Sequence, residues 1–204
     1  MSGRGVLEGA FALLESLNAL GGRAGFAELM RAADLPKTTT HRLLDQLVEL
    51  GAVERGPEGY RTGSRVFRLG QSWQPELREL AREWLPVLSA RLGAGVFLAV
   101  PREQRVLVVE GAGIRPGTIL PPGTASGRLL AAHAHPVGEP GRDAGEILAR
   151  GFAADAGSAA VPVRTPDGRT AAALAAVPLP GRSPLALVDG LAGTARTLGA
   201  ALTA

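Results

Sequence analysis

The chain contains no cysteine, so disulfides, thiolate catalysis and cysteine-ligated metals are excluded at once. Lysine is almost absent too: Lys37 is the only one, and every other cationic side chain is arginine. No apolar run approaches the roughly 18 residues that a bilayer-spanning helix needs. Glu8 and Glu15 interrupt the first apolar stretch, which is not the pattern of a secretory leader. A cytoplasmic location with no membrane partner is therefore expected. There is no large excess of either charge. The formal net charge is +3, and the sequence pI of about 10.4 reflects the arginines rather than a strongly basic chain. Net charge alone does not suggest nucleic acid; its distribution has to. What the 204 residues do contain is 46% hydrophobic and 20% charged residues, a balance that folds as one large or two small globular domains.

Val6, Leu7, Ala10, Phe11, Leu13, Leu14 and Leu17 recur at a helical period, and Gly21-Gly22 ends that helix. A short second helix is expected over about 27–33. Asp34-Leu35-Pro36 forces a turn, and Pro36 suits the start of a third helix, where its missing N–H costs nothing. Thr40, Leu43, Leu44, Leu47 and Leu50 share one face of that helix, and Gly51 stops it. Residues 52–55 and 60–62 read as strands joined by Gly56-Pro57-Glu58-Gly59. Helix, helix, turn, helix, hairpin is the order of a winged helix-turn-helix, placed at residues 1–70. A linker helix is expected over 71–92, with Leu77, Leu80, Ala81, Trp84, Leu85 and Leu88 as its apolar stripe and Pro86 kinking or dividing it. Trp73 and Trp84 are read as packing residues, with a subunit contact as the alternative for Trp84. Residues 93–204 mix strands (96–100, 106–110, 159–164, 171–178) with helices (125–133, 144–150, 185–202). The absence of regular alternation indicates an antiparallel α+β domain.

The exposed face of the third helix carries Lys37, Thr38, Thr39, His41 and Arg42. Its first turn offers a cation, two hydroxyls and free backbone N–H groups, all suited to phosphate oxygens at the positive end of a helix dipole. Arg42 lies one turn further, where a guanidinium reaches the edge of a guanine. The hairpin adds Arg55, Tyr60 and Arg61. A polar face on one helix is usually solvated surface. The element order, the proline start, the hydroxyl pair and the basic hairpin together point to duplex DNA, with a protein-binding winged helix or an RNA-binding one as competing readings.

Leu35-Pro36-Lys37-Thr38-Thr39-Thr40-His41-Arg42-Leu43-Leu44 resembles the helix-turn-helix signature of the IclR family of bacterial regulators, and Tyr60-Arg61-Thr62-Gly63 resembles the end of that family's wing. More weakly, Thr124-Ala125-Ser126-Gly127-Arg128-Leu129-Leu130 and Ala160-Val161-Pro162-Val163 with Asp167-Gly168 are similar to its C-terminal, GAF-like effector domain. The resemblance implies a DNA operator as partner. It also implies a small organic-acid or amino-acid-like effector, held by Ile119, Thr124, Ser126, Gly127, Arg128 and Ser158, with Arg115 or Arg128 supplying charge. The segments expected to close that pocket, between Gly111 and Thr124 and between Gly151 and Ala160, are short for the family and hold no cysteine. The alternative is a C-terminal domain that only dimerises and senses nothing.

No cofactor, metal or enzymatic activity is expected. His133 and His135 are two apart, a spacing that points helical side chains in different directions, and no third ligand accompanies them. Ser126 lacks an evident base and orienting acid, so a helix N-cap or a ligand contact is the better role for it. Gly111-Ala112-Gly113 lacks the third glycine of a dinucleotide site and reads as a turn. A homodimer or dimer of dimers is expected, because a single winged helix buries little surface and the first helix is apolar around much of its circumference.

Overall fold

The computed structural model describes residues 5–102, 104–133 and 141–202. The chain divides into two compact units, Met1–Gln74 and Pro75–Ala204.

In the first unit, helix α1 (Val6–Ala19) ends where Gly21 and Gly22 take positive φ angles of 87° and 84°. Strand β1 (Arg23–Ala24) follows, then α2 (Phe26–Ala33), whose Glu28 carboxylate accepts the Gly25 N–H at 2.8 Å and so caps the helix start. Asp34 turns the chain with a left-handed φ of 51°, a conformation that aspartate tolerates better than most residues. Pro36 then opens α3 (Lys37–Glu49). Strands β2 (Val53–Gly56) and β3 (Gly59–Thr62) form the wing hairpin, and α4 (Ser64–Gln71) completes the unit. The three strands pair in the order β1-β3-β2, all antiparallel. Leu13, Leu17, Leu29, Leu43, Leu44 and Val53 fill the core beneath them.

The second unit begins with α5 (Pro75–Leu92). The helix is not divided at Pro86, which lies on its exposed side, while Leu77, Ala81, Leu85 and Leu88 are buried. The remaining elements are β4 (Ala94–Arg102), β5 (Arg105–Ala112), β6 (Ile119–Leu120), α6 (Ala125–Ala132), α7 (Ala144–Arg150), β7 (Ala153–Ala154), β8 (Ala159–Arg164), β9 (Thr170–Pro178), a 3-10 turn (Pro184–Leu187) and α8 (Val188–Ala201). Six strands form one antiparallel sheet in the order β6-β5-β4-β9-β8-β7. Alternation puts Val96, Leu98, Val161 and Leu174 on the face covered by α5 and α8, and Phe97, Ala99, Ala160, Ala173 and Ala175 on the face covered by α6 and α7. The register shifts at Leu98/Ala99, so that Leu98 pairs with Glu110 and Ala99 with Val108. Val109 is the extra residue, and the bulge turns Glu110 onto the α5 face. There Arg78 and Arg82 donate to its carboxylate at 3.2 and 3.0 Å.

Candidate nucleic-acid interface

Helix α3 is fixed from below by Thr40, fully buried, whose hydroxyl donates to the Pro36 carbonyl at 3.0 Å. No side chain caps the start of the helix. Its first-turn N–H groups therefore have no side-chain acceptor, beside the exposed Lys37 and Thr38 and the half-buried Thr39. Arg42 is exposed one turn on. Lys37 and Arg42 form no ion pair with any described residue. His41 is exposed as well, and its ring lies 4.4 Å from that of Phe26 on α2.

The wing differs from what its sequence suggests. Tyr60 is a core residue, 6% exposed and packed among the leucines of the first unit. Its position opposite Ala24 and Arg55 in the three-stranded sheet turns the ring inward, so it is not a groove contact. Arg55 donates to Asp45 on α3 at 2.6 Å and to the Tyr60 hydroxyl at 2.9 Å. The hydrogen bond to Asp45, then that to Tyr60, raise its pKa above the ordinary arginine value. Arg61 pairs with Glu54 at 2.7 Å, and Arg23 pairs with Glu58. The wing cations are thus matched by exposed carboxylates, whereas those of α3 are not. The pairing was invisible in sequence because it joins residues 7 to 35 positions apart.

The effector residues expected in the second unit are placed as follows. Thr124 is the N-cap of α6: its hydroxyl accepts the Gly127 N–H at 3.3 Å, the capping role that the sequence offered to Ser126. Ser126 is fully buried, and its hydroxyl has no hydrogen-bond partner among the described residues. A Cβ on Gly127 would fall on the Pro122 carbonyl, so glycine is needed there for close packing. Ile119 sits on the edge strand, 44% exposed.

The positions expected to hold an effector anion are filled by the chain itself. Asp155 accepts the Ala125 N–H at the start of α6 at 2.7 Å, together with the N–H groups of Gly157 and Ser158 at 2.8 and 2.7 Å and the Ser158 hydroxyl. Burial alone would raise this carboxyl, but those donors together hold it below the usual aspartate value. Arg128 donates through Nε to Asp143 at 3.0 Å and through Nη1 to the Ala154 carbonyl at 3.0 Å. No group of three or more acidic or imidazole side chains able to hold a metal occurs among the described residues; His135 lies outside them. Among the described residues no helix is long and apolar enough to cross a membrane.

A winged helix-turn-helix followed by a curled antiparallel α+β domain defines a two-domain regulator fold. Residues 6–57 match the IclR helix-turn-helix domain. The glycerol operon regulatory protein of Streptomyces coelicolor is 33% identical over 108 residues, covering 51% of this chain and 42% of that protein. The HTH-type transcriptional regulator TsaQ1/TsaQ2 of Comamonas testosteroni is 32% identical over 115 residues, 53% of this chain and 41% of that protein. The chain thus spans about four-tenths of the length of these curated relatives. Among solved structures, an IclR homolog from Microbacterium hydrocarbonoxydans complexed with 4-hydroxybenzoate is 25% identical, with a TM-score of 0.79 over 97% of this chain and 99% of that one. An IclR-type regulator from Alicyclobacillus acidocaldarius, 20% identical, has the same fold at a TM-score of 0.73 over 96% and 98%. The first unit thus carries an IclR helix-turn-helix domain, and the chain as a whole has the fold of the solved IclR-type structures.

Proposed function

We propose that the chain is a sequence-specific DNA-binding transcription regulator of the cytoplasm, working as a homodimer or dimer of dimers and modulated by a small organic ligand. The observation that carries the DNA reading is the first turn of α3, with uncapped N–H groups, exposed Lys37 and Thr38 and an unpaired Arg42 on one helix. Phosphates fit the turn and a base edge fits the arginine. Of the wing, Arg55 and Arg61 remain proposed backbone contacts, available once Asp45 and Glu54 release them. The dimer is supported by Val6, Leu7 and Phe11, which are 53%, 77% and 62% exposed on α1; a second copy would cover them. A direct test is fluorescence anisotropy with duplex DNA from upstream of the gene and its neighbours, against scrambled duplexes. Tight binding to one region that survives excess competitor is expected. Equal, weak binding to every duplex by a folded protein would overturn the reading.

A second reading, in which the C-terminal domain only dimerises, is favoured by Asp155 and Asp143 filling the anion positions around α6. Against it stands the buried, unpartnered Ser126 hydroxyl, which suits a ligand with its own polar group. The solved relative binds 4-hydroxybenzoate. Thermal shift with that compound and other small organic acids separates the readings only if DNA affinity is measured too, since an effector must bind two states unequally.

A further inference from the structure

We propose a second ligand site in the C-terminal unit: the groove between β8 and α8, binding a small carboxylate with an apolar body, its carboxylate held by Arg164 and Arg196. The groove encloses about 670 Å³, within the range of small-molecule pockets, about 300–1,000 Å³. Its apolar walls include Val161, Pro162, Ala192 and Ala195. Two arginines line it, and among the described residues no aspartate or glutamate does. Elsewhere in the unit Arg128, Arg150 and Arg169 are paired with Asp143, Glu146 and Asp167, while Arg105 and Arg115 form no ion pair with any described residue and line no such groove. Arg164 and Arg196 are exposed and form no ion pair with any described residue. A groove with two free guanidiniums over an alanine-rich wall has its charge complement in an organic anion, and a planar guanidinium matches a carboxylate with two parallel N–H donors.

The two arginines are held near one another by backbone packing. A Cβ on Gly199 would fall on the Arg164 carbonyl oxygen, so α8 lies directly against the end of β8. Arg196 is three residues from Gly199 and therefore on a neighbouring part of the same helix face. This site runs along the edge of β8, from α8 to Gly151 at the end of α7. The effector position lies at the start of α6, where Asp155 and Asp143 already fill the anion sites, and none of its residues lines the groove. The proposal therefore does not rest on DNA binding or on the α6 position.

Calorimetric titration of the full chain at constant ionic strength tests it, with benzoate as probe, benzamide as its neutral counterpart and acetate as the anion without a body. Benzoate is expected to bind, and the other two to bind more weakly by about tenfold or more, the loss that a charge-assisted contact or a buried ring carries. Arg164→Gln with Arg196→Gln should weaken benzoate by a similar factor. Ala200→Trp, which plugs the groove from an exposed helix position, should do the same without disturbing the core. Arg105→Gln, removing an exposed arginine elsewhere in the unit, should change nothing. The proposal is overturned if benzoate gives no binding at millimolar concentration or binds no better than benzamide. It is equally overturned if benzoate binds undiminished to both the double variant and the plugged one, which would place the acid elsewhere.

Discussion

Arg42 and Arg55 carry the same charge but have different freedom. Arg42 is unpaired on α3, whereas Arg55 is held by Asp45 and Tyr60. Arg42→Ala should therefore relax discrimination at one base pair by about 1–3 kcal/mol while leaving other positions alone. Binding isotherms across a set of singly substituted operators measure this. Lys37→Ala should weaken binding to all sequences and flatten the slope of log K against log salt by about 0.9 for each phosphate no longer neutralised. Asp45→Asn should act in the opposite direction: it removes an anion beside the DNA face and frees Arg55, so binding should tighten and its salt dependence steepen. An unchanged slope would show that Arg55 stays bound to the wing. None of this pairing could be read from the sequence, where Arg55, Tyr60 and Arg61 look like one basic cluster. Burial of Tyr60 depends on β1, a two-residue strand too short to show a period.

At the scale of elements, α6 illustrates how a helix start can be completed by a distant loop. Asp155 approaches from 30 residues away to accept the Ala125 N–H, and Asp143 holds Arg128. Both carboxyls lie below the ordinary aspartate range. For Asp143 the main cause is the Arg128 hydrogen bond; for Asp155 the backbone and Ser158 donors outweigh burial. Asp167, paired with Thr165 and Arg169, is lowered to about 2. The sign follows from linkage. A depressed folded pKa gives stability that is complete above the unfolded value, near pH 4, and is lost as pH falls through the folded value. Acid unfolding of the C-terminal unit should thus begin below about pH 4. Asp155→Ala should cost about 1–3 kcal/mol at neutral pH by leaving its N–H donors without that acceptor, and should make the remaining stability less sensitive to acid. Urea unfolding at pH 7 and pH 3 checks both parts. The helix itself was plain in the sequence, as were α1, α3 and the hairpins at β4–β5 and β8–β9, because each has a period and a glycine or proline boundary. Strands β6 and β7 have two residues each and no such signal. The filling of the anion positions was hidden because Asp143 and Asp155 are remote in sequence from the residues they satisfy.

On the scale of the whole molecule, the proposed function divides between the two compact units, DNA binding in the first and ligand binding in the second. In the proposed homodimer, DNA binding would depend on assembly, with two copies of α3 meeting paired half-sites about one helical turn apart. Phe11→Glu together with Leu7→Asp, on the exposed face of α1, should yield a folded monomer by sedimentation and a large loss of operator affinity. A dimer surviving both changes would move the interface away from α1. The proposed function requires that α3 read DNA through Arg42. Its most direct measurement is anisotropy titration of wild type and Arg42→Ala against the upstream duplex and its single-base substitutions. Wild type is expected to discriminate at every half-site position, and the variant to lose discrimination at one of them, by about 1–3 kcal/mol. Equal loss at all positions, or no loss at any, would contradict it.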